Sequence, residues 1–172
     1  TFASIHDCFV RELKPGARPI ADAPGILVSP CDAVVGAAGR LTGTELIQAK
    51  GLTYTLEELL TDRALADAHC DGTFVTLRLT STMYHRFHAP EDCVVERVIH
   101  VPGDVWNVNP AAVKRVPRLY CRNERAVVCL RLQDTNDAIT LVPIAAILVG
   151  SLHLNCLEME GGELRTEARH FD

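Results

Sequence analysis

Aromatic residues are in short supply in this 172-residue sequence, and acidic residues outnumber basic ones. Aromatic side chains make up only 5% of it, so its core must be built from Val, Leu, Ile and Ala. The formal net charge is −5, and a chain without a basic stripe to neutralise phosphates is not expected to bind nucleic acid. A membrane partner stays compatible with this charge, because a local basic patch can coexist with an acidic total.

A membrane-spanning run and paired cysteines are also missing. The longest apolar run, residues 141–149, is too short to cross a bilayer, which needs about 20 residues. It predicts instead a strand that is buried on both faces. The seven cysteines include no C-x-x-C pair, and several stand in apolar runs, as Cys129 does in AVVCLRL. We interpret them as reduced, buried cysteines of a cytosolic protein.

The pattern of apolar residues predicts a β-rich α+β fold in one domain, residues 1–172. Apolar and polar side chains alternate in 73–80, as expected for a half-buried strand. A helix is predicted over 56–66, because Thr55 and Glu58 form the sequence signature of a capping box. Further strands are predicted at 26–29, 94–101, 126–132, 138–149 and 152–159. We expect antiparallel sheets that form a compact sandwich or barrel-like domain with a few short helices.

Residues suited to chemistry concentrate in two places. The first is SPCDA (29–33), where Asp32 follows a short apolar segment; an aspartate there is commonly a turn former. The second is YHRFHAP (84–90), where two histidines, an arginine and a tyrosine stand within five residues. Histidine gives and takes protons near neutral pH, so this cluster is a candidate functional site. The alternative is a polar hairpin loop whose histidines are simply solvated.

These groups allow two kinds of chemistry. In one, Asp32 orients a histidine that activates a hydroxyl nucleophile, as in a catalytic triad. In the other, His85 and His88 bind a metal together with Asp32 or Cys93. Residues three apart on a strand point to opposite faces, so the two histidines would chelate a metal only on a loop. No third ligand has a recognisable spacing, and we expect no bound metal.

The N-terminal stretch FVRELKPGARPI (9–20) interleaves three basic side chains with apolar ones. Such a segment could rest on anionic lipid headgroups. Its spacing alone favours a surface arm.

Several pieces of the sequence resemble the phosphatidylserine decarboxylase family, in the family's order and over nearly the whole chain. SPCDA resembles the family's Ser-Pro-x-Asp-Gly turn, and YHRFHAP resembles its Tyr-His-Arg-x-His-x-Pro core. QAKGLTYTLEELL (48–60) looks like its Lys-Gly-x-x-Tyr-Ser-Leu-x-x-Leu-Leu stretch. The other matching pieces are FVRELKPGARPI, VPGDVWNVNP (101–110), NER (123–125) and LVPIAAILVGSL (141–152). Single pieces are weak signals, whereas this many in register are a strong one.

The resemblance implies a pyruvoyl-dependent lyase that is made as a zymogen. Enzymes of this family cut their own chain at a serine, which becomes a pyruvoyl group at the N-terminus of a small α chain. Its ketone forms a Schiff base with the substrate amine and acts as an electron sink while CO2 leaves. The implied reaction converts phosphatidylserine to phosphatidylethanolamine in phospholipid biosynthesis. The implied partners are its own α chain and a phospholipid at a membrane surface, in a cytoplasmic, membrane-peripheral protein that could form a homodimer.

The resemblance also assigns roles residue by residue. Asp32 matches the family's triad aspartate, and His88 matches the histidine that activates the cleaving serine. His85 matches the histidine of the decarboxylation step, where it would hold the substrate carboxylate or manage the proton that replaces CO2. Tyr84 and Arg86 are expected to bind substrate. A triad also requires Asp32 and His88 to lie within hydrogen-bond reach, about 2.6–3.2 Å between heavy atoms.

The sequence departs from the family pattern in three places. Ala33 replaces the usual glycine after the aspartate, and Met83 replaces the usual aspartate before Tyr84. The self-cleaving serine has no match, because Gly150-Ser151 lacks the following threonine and comes too early in the chain. We therefore expect the β-chain part of such an enzyme, with the pyruvoyl-forming serine outside this chain. The alternatives are a decarboxylase of a small amino acid or another lipid amino acid, and a non-catalytic binding module.

Overall fold

The computed structural model describes residues 2–49, 51–147, 149 and 152–155, and the backbone of 169–170. Its helices are α1 (Ile5–Phe9), α2 (Leu56–Leu60), α3 (Arg63–Ala68), α4 (Pro110–Val113) and α5 (Leu119–Arg122). Its strands are β1 (Val34–Arg40), β2 (Glu45–Ala49), β3 (Leu52–Thr55), β4 (Thr73–Arg78), β5 (Cys93–Val101), β6 (Arg125–Leu132), β7 (Ala138–Leu141) and β8 (Arg169–His170). Strand exceeds helix, which confirms the predicted β-rich α+β class. None of the described helices is long and apolar enough to cross a membrane.

The strands form three sheets. β2 and β3 make an antiparallel hairpin, and β1 pairs with β4 in a second two-stranded sheet. The third sheet has four strands in the order β7-β6-β5-β8, in which β6–β7 and β5–β8 are antiparallel. In the part of the chain that the structure describes, these sheets are open and do not close into a barrel.

The chain divides into two compact units. Unit 1 comprises Thr1–Gly39 and Phe74–Cys93, and unit 2 comprises Arg40–Thr73 and Val94–Asp172. Each unit is assembled from two separate stretches of sequence, so chain order alone does not delimit it. The expectation that residues 1–172 form one domain stays a prediction.

The core of unit 2 is built around β6, whose sequence RAVVCLRL is almost continuously apolar between its two arginines. Every residue of β6 is buried except Arg131, which is half-buried. Burial without alternation means that both faces of the strand are covered, as is typical of a central strand. The sheet order agrees, because β6 lies between β7 and β5. This confirms the strand predicted at 126–132.

The single helix predicted over 56–66 is two helices. Its capping box is confirmed: Thr55 Oγ1 accepts from the backbone N–H of Glu58 at 3.1 Å, and Glu58 Oε2 accepts from that of Thr55 at 2.9 Å. The first helix, α2, ends because Thr61 takes the left-handed conformation, with φ 55°. Asp62 then starts α3 by accepting a backbone N–H with its side chain.

Two more of the predicted strands agree with the structure, and a third is cut short before a proline. Those predicted at 73–80 and 94–101 are β4 and β5. The strand predicted at 138–149 is shorter than expected, because β7 ends at Leu141. Pro143 follows, and proline has no N–H with which to continue a ladder of hydrogen bonds.

Two other strand predictions have different outcomes. Residues 26–29 are loop and not strand. Of the strand predicted at 152–159, residues 156–159 lie outside the described residues, and 152–155 are not strand. The Gly150-Ser151 dipeptide also lies outside the described residues.

Arg125, at the start of β6, is buried although it is charged, with 2% of its surface exposed. Its guanidinium donates to four backbone carbonyls: Leu59 at 2.7 Å, Glu58 at 3.0 Å, Cys121 at 2.6 Å and Asn123 at 3.0 Å. Two of these carbonyls end α2 and one belongs to α5, and the last carbonyls of a helix have no partner within it. Arg125 therefore ties β6 to the ends of two helices.

Replacing Arg125 by Ala should lower the free energy of unfolding by at least about 3 kcal/mol, because buried carbonyls lose their donor and a cavity opens. Urea denaturation of the full-length protein measures the change. The matched control is Arg63→Ala on α3, where Arg63 is 78% exposed and lies 3.9 Å from Asp67. This control should change stability by no more than about 0.5 kcal/mol. Equal losses in the two variants would contradict the anchoring role of Arg125.

Candidate functional site

Two loops of unit 1 carry the polar residues singled out in the sequence: the aspartate loop (29–33) and the histidine loop (84–90). Two backbone hydrogen bonds join the segments around them, from the N–H of His88 to Pro30 O at 2.8 Å and from the N–H of Val28 to Pro90 O at 3.1 Å. The residue numbers rise along one segment as they fall along the other, so the two run antiparallel. The fold thus brings together residues that are far apart in the sequence.

Local sequence explains why both segments are loops. After β4 ends at Arg78, the N–H of Met83 donates to Thr80 O at 3.0 Å and closes a turn. In the aspartate loop, the Ser29 hydroxyl donates to Cys31 O at 2.8 Å, a local bond that competes with strand pairing. The two histidines therefore stand on a loop, and the opposite-face rule for strands does not separate them.

Asp32 is held by an arginine. The Arg18 guanidinium donates from Nε to Oδ1 at 2.9 Å and from Nη2 to Oδ2 at 2.6 Å. The hydrogen bonds from Arg18 lower the pKa of Asp32, with a smaller contribution from the backbone N–H of Tyr84, and this outweighs the opposing effect of partial burial. Asp32 is therefore a carboxylate at any pH near neutral.

His88 is paired with Tyr84. The Tyr84 hydroxyl and His88 Nε2 are hydrogen-bonded at 2.8 Å. The two rings are also stacked, with centroids 5.6 Å apart and an angle of 9° between their planes. Tyr84 is only 6% exposed, and a buried tyrosine hydroxyl normally has a polar partner, which here is His88. Tyr84 thus contacts His88 both by a hydrogen bond and by ring stacking.

His85 has a separate environment. Its Nδ1 lies 2.8 Å from Met83 O, and because a carbonyl only accepts, Nδ1 carries the proton and the neutral ring leaves Nε2 without one. The Phe9 ring meets the imidazole edge-on, with centroids 4.3 Å apart. Burial lowers the pKa of His85, with a smaller contribution from the nearby Arg11, although the bond to Met83 raises it. His85 is a neutral imidazole near pH 7.

Arg86 contacts the N-terminal stretch. Its Nε donates to Val10 O at 2.8 Å, and its Nη1 lies 3.2 Å from Glu12 Oε1. Phe9 of the same stretch contacts His85. Residues 9–20 are therefore more than the free surface arm that their spacing favours, because they contact the histidine loop at several points.

The structure brings Asp32, Tyr84 and His88 together, and it places His85 and Arg86 against the N-terminal stretch. Among the hydrogen bonds of the described residues, none joins the side chains of Asp32 and His88; their loops are joined by the bond from the N–H of His88 to Pro30 O. The catalytic roles of these residues stay predictions. Sequence reasoning missed Arg18 as a member of the site, although its basic charge within the resembling piece FVRELKPGARPI was a signal.

Metal binding has little support in this geometry. The residues that the structure describes contain no group of three or more His, Cys, Asp or Glu placed to hold a metal ion. His85 Nδ1 is bonded to Met83, and His88 Nε2 is bonded to Tyr84. A metal bound by these nitrogens would have to displace both partners. That the site needs no metal stays a prediction.

The titration of His85 should depend on Phe9. In nuclear magnetic resonance titrations, the His85 imidazole should show a pKa below its usual value of about 6.5. In Phe9→Ala the pKa should rise toward that value, because water gains access to the charged form of the ring.

The same shift has a consequence for stability. The unfolded chain takes up the proton of His85 before the folded protein does, so stability is lost as the pH falls from about 6.5 through the lower folded pKa. In His85→Gln this loss should be smaller, as measured by urea denaturation across that pH range. His69, whose pKa is also lowered by burial, is intact in both proteins and contributes equally. An identical pH dependence in the two proteins would contradict the assignment.

Full-length protein washed with a chelator should retain no stoichiometric metal by elemental analysis, because the site offers no third ligand. The control is His85→Ala/His88→Ala, treated in the same way. One metal per chain in the unmodified protein, absent from the double variant, would instead favour a metal site in the histidine loop.

Comparison with known proteins agrees with the motifs. The family model described as phosphatidylserine decarboxylase matches residues 5–169. The phosphatidylserine decarboxylase proenzyme of Vibrio vulnificus is 44% identical over 158 residues, which is 91% of this chain and 53% of that protein. The proenzyme of Vibrio cholerae is 43% identical over 159 residues, 92% of this chain and 53% of that protein. That of Aliivibrio fischeri is 41% identical over 166 residues, 96% of this chain and 55% of that protein.

This chain spans about half the length of the curated relatives it matches. The match to the family model includes both the aspartate loop and the histidine loop. It also includes the N-terminal stretch that contacts the histidine loop from residue 9 onward. The chain belongs to the phosphatidylserine decarboxylase family.

Proposed function

We propose that the full-length protein containing this chain converts phosphatidylserine to phosphatidylethanolamine and CO2. The family match and the name of the relatives, phosphatidylserine decarboxylase proenzyme, support the proposal. One observation carries it at the level of chemistry: His85 and His88 share a loop but are bonded to different partners, Met83 and Tyr84. Two differently held imidazoles suit two separate proton transfers, one in chain cleavage and one in decarboxylation.

The cofactor implied by the family is a pyruvoyl group, carried on a separate α chain. When bound, such a group provides an electron sink for the electrons left behind by CO2. The histidine loop fits a site of this kind, because His85 is half-buried and its Nε2 is left to accept a proton while Nδ1 is bonded to Met83. None of the four serines of this sequence matches the family's self-cleaving motif, so tests of activity need the full-length proenzyme.

In self-cleavage, His88 is the base. A serine hydroxyl is a weak nucleophile until a base takes its proton. The Tyr84 hydroxyl, 2.8 Å from Nε2, marks where a hydroxyl group fits against this ring, and the serine hydroxyl would approach the same nitrogen. Asp32, kept ionised by Arg18, is the negative charge that would favour the imidazolium as it forms.

In decarboxylation, His85 manages the proton that replaces CO2. The sequence left a second role open, in which His85 holds the substrate carboxylate. A neutral ring whose Nδ1–H is bonded to Met83 has no N–H left for a carboxylate, so the geometry favours the proton-transfer role. Because burial lowers its pKa, the protonated ring gives up its proton readily once it has received one.

Tyr84 and Arg86 contribute to substrate binding by different routes. Arg86 has 36% of its side chain exposed, and a guanidinium suits the phosphate or carboxylate of a phospholipid. Tyr84 is buried against His88, so its contribution runs through the position of that ring. The phospholipid substrate implies a cytoplasmic protein peripheral on a membrane. Association with its own α chain, and a homodimeric state, belong to the same proposal.

Replacing His88 by Ala in the full-length proenzyme should slow self-cleavage by at least about 100-fold, because the serine loses its base. Replacing His85 by Ala should leave cleavage largely intact but lower CO2 release by at least about 100-fold. Gel electrophoresis follows chain splitting, and a CO2-release assay on phosphatidylserine vesicles follows decarboxylation. His6→Ala, at an exposed position of α1, is the control, and it should change neither chain splitting nor CO2 release.

Each result has a distinct meaning. If His88→Ala splits normally and His85→Ala does not, the two roles are reversed. If both variants fail to split, the histidine loop acts as one unit. If the unmodified protein splits but releases CO2 only from a free amino acid, the small-substrate alternative replaces the phospholipid. If it never splits, the protein is a non-catalytic member of the family.

A further inference from the structure

Every nitrogen of the Arg18 guanidinium has a partner. Nε donates to Asp32 Oδ1 at 2.9 Å and approaches Oδ2 at 3.2 Å, and Nη2 donates to Oδ2 at 2.6 Å. Nη1 donates to Ala17 O at 2.8 Å, which fixes the guanidinium against its own backbone. Two parallel N–H bonds to the two oxygens set the plane of the carboxylate as well as its position.

This pair is too exposed to be explained by stability. The side chains of Arg18 and Asp32 are 53% and 24% exposed, and ion pairs in water contribute little to folding. The pair is instead the first link in a chain of contacts. The loop that carries Asp32 is bonded to the backbone of His88, whose N–H donates to Pro30 O at 2.8 Å. Arg18 is therefore connected to the histidine loop through Asp32.

We propose that Arg18 is a positioning residue for the self-cleavage step, acting through Asp32 on His88. The inference rests on the proposed function, because it assumes that His88 is the base. Without Arg18, the Asp32 carboxylate turns freely in solvent. A carboxylate that is not fixed stabilises the imidazolium of His88 less as it forms. A small misplacement of a catalytic group lowers a rate by up to about 100-fold.

The opposite role would be inhibitory, with Arg18 keeping Asp32 away from His88 and slowing self-cleavage. A carboxylate has about four acceptor sites, so binding Arg18 does not exhaust it. Arg18 makes two of its contacts to Oδ2 and one to Oδ1, which leaves acceptor capacity for a donor from the histidine loop. This spare capacity favours positioning, and the two roles predict rate changes of opposite sign.

The test uses the full-length proenzyme, made by cell-free synthesis and followed by gel electrophoresis as the chain splits. Arg18→Ala should slow splitting by about 10- to 100-fold. The splitting rate of Arg18→Lys should lie between those of Arg18→Ala and the unmodified protein, because lysine keeps the charge but cannot form the bidentate hydrogen bonds. Millimolar guanidinium chloride should speed up Arg18→Ala and leave the unmodified protein unchanged, since the exposed site admits a small cation. Arg63→Ala, in an exposed ion pair of α3, is the control and should split at the normal rate.

A double variant separates positioning from a general loss of structure. Asp32→Ala should slow splitting, and adding Arg18→Ala to it should slow splitting no further, because Arg18 acts through Asp32. If the two substitutions lower the splitting rate independently, so that their effects multiply in the double variant, the inference is overturned. Normal or faster splitting of Arg18→Ala would also overturn it. If Arg18→Ala fails to fold, the test rests on Arg18→Lys. Normal splitting of Arg18→Lys would then overturn the positioning role of Arg18. An unmodified proenzyme that never splits overturns the proposed function, whereas equal splitting of both proteins overturns only the role of Arg18.

Discussion

Two backbone hydrogen bonds, between His88 and Pro30 and between Val28 and Pro90, hold the candidate site together. Neither loop is strand, so no ladder fixes the distance between Asp32 and the histidines. Both acceptors are prolines, which have no N–H and can take part only through their carbonyls. The side-chain contacts of the site follow from the register that these two bonds set.

The two histidines show how a loop can separate chemical roles within a few residues. His88 is stacked on Tyr84 and shares a hydrogen bond with it, in the group that includes Asp32. His85 is held by the backbone of its own loop and is shielded by Phe9 from the N-terminal stretch. The two rings therefore differ in their hydrogen-bond partners, although they belong to one short motif. Their separation comes from neighbours that are distant in sequence.

The features that sequence predicts best are those with local causes. The capping box at Thr55 is local, and so it is predictable, whereas the left-handed conformation of Thr61 is not, because β-branched residues rarely adopt it. The approach of Asp32 to the histidine loop follows from the family resemblance and not from any periodic pattern. The bond from Arg18 to Asp32 joins residues 14 apart across irregular backbone, where no spacing rule applies. Partners of this kind become visible only once the chain is folded.

The position of Arg125 has a consequence for how unit 2 moves. Its guanidinium binds carbonyls at the end of α2 and within α5, and both helices are too short to persist alone. If either helix frays, a buried cation loses partners in a poorly solvated interior, so opening one helix destabilises the other. The two helices and the start of β6 should therefore exchange their amide hydrogens as one cooperative segment, slowly and together. A single side chain makes three small elements behave as one folding unit.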